Sequence, residues 1–181
     1  MATVIGLDHH LTGATAEQQA VVDLIVAGPR GSVPSPFYAM LDSPPLTLAI
    51  QEVGAMIRFG STLPDAQREL AVLATAGAVG CGYEWNYHAP IGRAAGLTPA
   101  AIAATLPDAS ADQVGGPDAT LIGFCRALAA RNADIGQVAE AVALFGRTGA
   151  TEIIAIVGYY ALLASFIKLG GFDRPFATER A

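Results

Sequence analysis

The sequence is short of charge. Asp, Glu, Lys and Arg make up only 14% of its 181 residues, and the acids outnumber the bases, leaving a formal net charge of −6. It has no basic block and no interleaving of basic with aromatic residues, so the electrostatic footprint of a nucleic-acid binder is missing. It also lacks a clean apolar run of membrane-spanning length. The nearest, Ile153 to Leu169, is interrupted by Gly158, Tyr159, Tyr160, Ser165 and Lys168, and a span takes about twenty apolar residues. Met1 to His10 has neither the basic nor the apolar region of a signal peptide. The two cysteines, Cys81 and Cys125, are too few for a secreted disulfide framework. A cytoplasmic protein is expected, with neither nucleic acid nor membrane as a partner.

What the sequence does have is apolar surface and helical periodicity. Hydrophobic residues reach 52%, more than a small monomer easily hides, so a homo-oligomer is expected. No stretch alternates convincingly as a strand. Helices are expected over Thr15–Ala27, Pro45–Phe59, Pro64–Val79, Tyr83–Ala95, Thr98–Leu106, Pro117–Asn132, Gly136–Phe145 and Thr148–Leu169. A short helical turn at Phe37–Leu41 is expected inside the proline-rich segment between Pro29 and Pro45. The reading is all-α, one domain over residues 1–181, with 1–14 and 171–181 less ordered. Arg68–Leu73 weakly repeats Thr151–Ile156, each carrying a glutamate into an apolar helix.

Chemistry-bearing residues crowd into Cys81-Gly-Tyr83-Glu84-Trp85-Asn-Tyr87-His88, with Glu69 on the preceding helix. Glu84 and His88 are four apart, so they share a helix face. Cys81 extends that stripe if the helix already covers it. A hairpin through Gly80 and Gly82 would bring Glu69 alongside. Two carboxylates and an imidazole around one small space can give and take protons on one substrate. Glu69 would orient His88 or share its proton, Glu84 would be the second carboxylate, and Tyr83 and Trp85 would line the pocket. The plainer alternatives are a surface pair for Glu84 and His88, a helix-dipole partner for Glu69, and a small buried hydrophobe for Cys81. A metal is not expected: Glu84 and His88 offer two ligands and Glu69 a third at most, and His9 and His10 sit in a polar N-terminal stretch.

Arg68-Glu69-Leu70-Ala71, Glu84-Trp85-x-x-His88 and Ala94-Ala95-Gly96-Leu97-Thr98-x-x-x-Ile102 together resemble the carboxymuconolactone decarboxylase family, which includes the alkylhydroperoxidase D proteins. Gly31-x-Val-Pro-x-Pro-Phe37-x-Ala-Met-x-x-Ser43-Pro44 extends the resemblance, which covers roughly residues 28 to 170. It implies an alkylhydroperoxidase D-like bundle of paired antiparallel helices, assembled as a dimer, trimer or hexamer. The peroxidase branch of that family carries a glutamate, a Cys-x-x-Cys pair and a histidine. Glu69, Cys81 and His88 fall on three of those positions, and Glu84 falls on the second cysteine. Cys81 therefore cannot close the local disulfide of that branch. The decarboxylase branch acts on a carboxylated lactone without a cofactor. For this chain it implies acid/base catalysis by Glu69, Glu84 and His88 on a small anionic substrate, with Arg30, Arg58, Arg68 or Arg93 as the anion partner. The alternatives are a lone-thiol antioxidant using Cys81 and a non-catalytic, oligomeric ligand-binding protein.

Overall fold

The computed structural model describes residues 5–177. Helix makes up 69% of the described residues, and no strand occurs among them. The helices are α1 (Ala16–Ala27), α2 (Ser35–Met40), α3 (Pro44–Ala55), α4 (Asp65–Ala78), α5 (Gly82–Ala94), α6 (Pro99–Ala103), α7 (Gly116–Ala129) and α8 (Ile135–Leu169). The described residues form two compact units, 5–60 with 165–173, and 61–164 with 174–177. The looser order expected for 1–14 and 171–181 falls in part on 1–4 and 178–181, which lie outside the described residues.

The first unit holds α1, α2 and α3. Thr15 and Gln18 close a reciprocal capping box at the start of α1, satisfying two N–H groups that would otherwise lack partners. Val21, Val22 and Ile25 of α1 join Phe37, Met40 and Leu41 in its apolar core. The helix expected to run to Phe59 instead changes character at Met56. Residues Met56–Gly60 widen into a π-helical turn, a form found as single turns within or at the ends of α-helices.

The second unit is built around α4, which packs mainly against α5 and α7. Its residues Glu69 to Gly77 are buried in unbroken succession. Small side chains at Ala71, Ala74 and Ala76 allow that enclosure. At Gly77 even a Cβ would collide with the backbone carbonyl of Thr105.

The turn from α4 to α5 follows from its residues. Gly80 takes a left-handed φ of 65°, which glycine adopts without steric cost. Cys81 N–H then donates to Ala76 O at 2.8 Å and Gly80 N–H to Gly77 O at 3.1 Å. This paired closure is a Schellman motif. Cys81 follows in extended geometry as the N-cap of α5, so α5 returns antiparallel to α4.

Two further boundaries differ from expectation. α6 ends at Ala103 rather than Leu106, because Thr105 and Leu106 bond back three residues, to Ile102 and Ala103. α8 is written as one element but is broken at Gly146, whose φ of 72° and ψ of 168° are not helical. The break agrees with the expected division between Phe145 and Thr148.

Candidate active site

α4 brings Glu69 and α5 brings Glu84 and His88 to one point in the second unit. All three are buried, at 2%, 4% and 2% exposure. His88 Nδ1 lies 2.7 Å from Glu69 Oε2. His88 Nε2 lies 3.5 Å from Glu84 Oε2. Glu69 is therefore not a solvated dipole partner, and Glu84 and His88 are not a surface pair.

A fourth group comes from α8. The Tyr160 hydroxyl is 3.2 Å from His88 Nε2, in a buried contact. Its ring stands edge-on to the imidazole, with centroids 5.2 Å apart and planes at 87°. Tyr159 packs edge-on behind it. In the sequence both tyrosines only interrupt an apolar stretch, and nothing there marks Tyr160 as a site residue.

The partner on one imidazole nitrogen decides what the other can do. With Nδ1–H donating to the Glu69 carboxylate, a neutral His88 presents a bare Nε2 that accepts the Tyr160 O–H. Once Nε2 gains a proton it becomes a donor, and the Glu84 carboxylate is the acceptor beside it. The arrangement thus offers a partner for each protonation state of one nitrogen.

Arg68 closes the far side. Its Nε is 3.5 Å from Glu69 Oε1, and its Nη1 pairs with Asp65 at 2.7 Å. Arg68, one of the four arginines expected as anion partners, is in contact with this cluster.

The other expected site residues lie elsewhere around α5. Cys81 is fully buried but precedes the helix, so it extends the stripe only from the N-cap. The Trp85 indole N–H donates to Thr105 Oγ1 at 2.8 Å, and its ring meets Phe176 edge-on. Those contacts tie α5 to the end of α6 and to the C-terminal segment. Tyr83 is half-buried beneath the Arg174 guanidinium. Asn86 binds that same segment like a neighbouring strand, donating to Pro175 O and accepting from Ala177 N–H. Tyr87, 43% exposed, lies against the His88 ring and links the buried cluster to the surface.

Cys125, on α7, is buried beside Thr75. Burial pushes its thiol up to about 12, although a hydrogen bond with Thr75 works the other way. Among the described residues, no group of three or more His, Cys, Asp or Glu is arranged to hold a metal ion. His9 and His10 are exposed, and His9 stacks on Phe172.

The model of the carboxymuconolactone decarboxylase family matches residues 44–135, half of the chain, including α4, α5 and the whole turn between them. The chain belongs to the carboxymuconolactone decarboxylase family. The solved apo structure of the debrominase Bmp8 superposes with a TM-score of 0.68 at 16% identity, covering 96% of this chain and 92% of that one. At that identity the likeness is one of fold, an alkylhydroperoxidase-like helical fold. No curated protein sequence matches the chain. On the Glu, Cys-x-x-Cys and His pattern of the peroxidase branch, Glu84 falls at the second cysteine position, and its carboxylate lies 3.5 Å from His88 Nε2.

Proposed function

We propose that the protein is a cofactor-independent acid/base enzyme, a lyase or isomerase acting on a small carboxylated lactone or related carbonyl compound. The observation that carries this reading is the buried line from Glu69 through His88 to Glu84. The Glu69 carboxylate orients the imidazole and stabilises the imidazolium that forms when Nε2 takes a proton. Glu84 then receives the Nε2–H. Burial excludes water, which strengthens each of these interactions. Arg68 balances one of the two carboxylates. The exposed Ile154 and Leu162 on α8 support assembly as a homo-oligomer.

The placement of Glu84 favours this reading over thiol redox chemistry. A carboxylate stands where the peroxidase branch has the second cysteine of its redox pair. The test is a panel of carboxylated γ-lactones, followed by carbon dioxide release and by the ultraviolet change of a migrating double bond. Wild type should turn over at least one of them, and His88→Ala, folded by circular dichroism, should turn over none. Undiminished turnover by His88→Ala would sink the reading.

A further inference from the structure

Tyr160 is the one member of the cluster that the acid/base account above leaves without a task. It is 2% exposed, and a buried phenol takes up a hydrogen-bond partner of defined geometry. Here the partner is His88 Nε2, at 3.2 Å. Glu69 already holds Nδ1 at 2.7 Å, so Nε2 is the nitrogen through which His88 can exchange a proton. The hydroxyl stands on that nitrogen. Glu84 Oε2 is farther away, at 3.5 Å, and as a carboxylate it can bond Nε2 only when that atom carries hydrogen.

We propose that Tyr160 is the proton-transfer partner of His88, the group that meets a substrate bearing an acidic C–H next to a carbonyl. This rests on the acid/base reading and adds a residue and a substrate feature to it. The substrate C–H breaks and its proton goes to the Tyr160 oxygen, while its electron pair stays on the substrate as an enolate. The phenolic O–H breaks at the same time, and its proton forms the Nε2–H bond of His88. The resulting imidazolium lies between the Glu69 and Glu84 carboxylates. Reversal of the shuttle onto a different carbon gives an isomerisation, with no external acid, oxidant or reductant.

Tyr160→Phe keeps the ring contacts with His88 and Tyr159 and removes only the hydroxyl. Two readouts on full-length protein test the proposal. The first is the ¹⁵N spectrum of histidine-labelled protein, in which the buried His88 is separable from the exposed His9 and His10. Wild type should show a protonated Nδ1 and a hydrogen-bonded acceptor Nε2, and Tyr160→Phe should move the Nε2 signal downfield, towards an unbonded nitrogen. The second is deuterium incorporation next to the carbonyl of γ-butyrolactone-γ-carboxylate in D₂O, which should fall by about 100-fold in the variant. An Nε2 signal unbonded in wild type or unmoved in the variant overturns the proposal, as does exchange by the variant at the wild-type rate. If wild type exchanges nothing, the acid/base reading fails, and the Nε2 signal alone still decides whether Tyr160 governs that nitrogen.

Discussion

Glu69 Oε2 lies 2.7 Å from His88 Nδ1, with both side chains buried and carried by the two arms of one helical hairpin. The short turn at Gly80 and Cys81 makes that meeting possible. A carboxylate there can only accept, so it selects the Nδ1–H form of the neutral ring.

Glu69→Gln tests that selection. An amide of the same shape can donate to Nδ1 instead and so hold the ring in the wrong tautomer. Turnover should fall by about 10²–10⁴-fold, while the melting temperature changes little. Full activity in Glu69→Gln would show that tautomer control is not needed.

Cys125 should stay silent at neutral pH. Cys125, with its thiol pushed up to about 12, remains protonated in the folded state where the unfolded chain would ionise. Its effect on stability is therefore absent below the ordinary thiol range. As pH rises above about 9, the unfolded state sheds this proton and the native state does not, so stability falls by up to about 1.4 kcal/mol per pH unit from this group. Urea melts of Cys125→Ala between pH 8 and 10 should lack that decline. Cys81→Ser should leave turnover of a lactone substrate unaffected.

Glu152 holds the entry to α4 in place. Burial works against its charge, but the Ser61 hydroxyl and the N–H and hydroxyl of Thr62 more than offset this and hold its carboxyl below the ordinary range. A lowered folded value means that the stabilisation is present above the unfolded carboxyl range, near 4.5, and is lost as pH falls through the lower folded value. Glu152→Gln should cost about 1 kcal/mol at pH 7, a modest figure because the site is largely solvated. Thermal melts of the two proteins should converge towards pH 3.

Much of this site is legible in the sequence, for local reasons. Glu84 and His88 are one helical turn apart, and the glycines around Cys81 mark a hairpin that returns α5 to Glu69. Gly146 likewise announces the break in α8. Tyr160 is not legible. It reaches His88 from 72 positions away, and that contact depends on the register of α8 beyond the break. The repeat between Arg68–Leu73 and Thr151–Ile156 does not give matching roles either. Glu69 binds a histidine, whereas Glu152 binds the Ser61–Thr62 turn. The π-turn at Met56–Gly60 is equally hidden, since neither proline nor glycine occurs in it before Gly60. Trp85 reads as a pocket wall because it follows Glu84, but consecutive helical side chains diverge by about 100°, and the indole turns to Thr105.

Chemical rescue tests the central claim most directly. His88→Ala leaves a space where the imidazole stood, between Glu69 and Tyr160. Turnover of a carboxylated lactone should be lost in this variant and restored in proportion to added imidazole. Wild-type turnover by His88→Ala without imidazole would contradict proton transfer at His88.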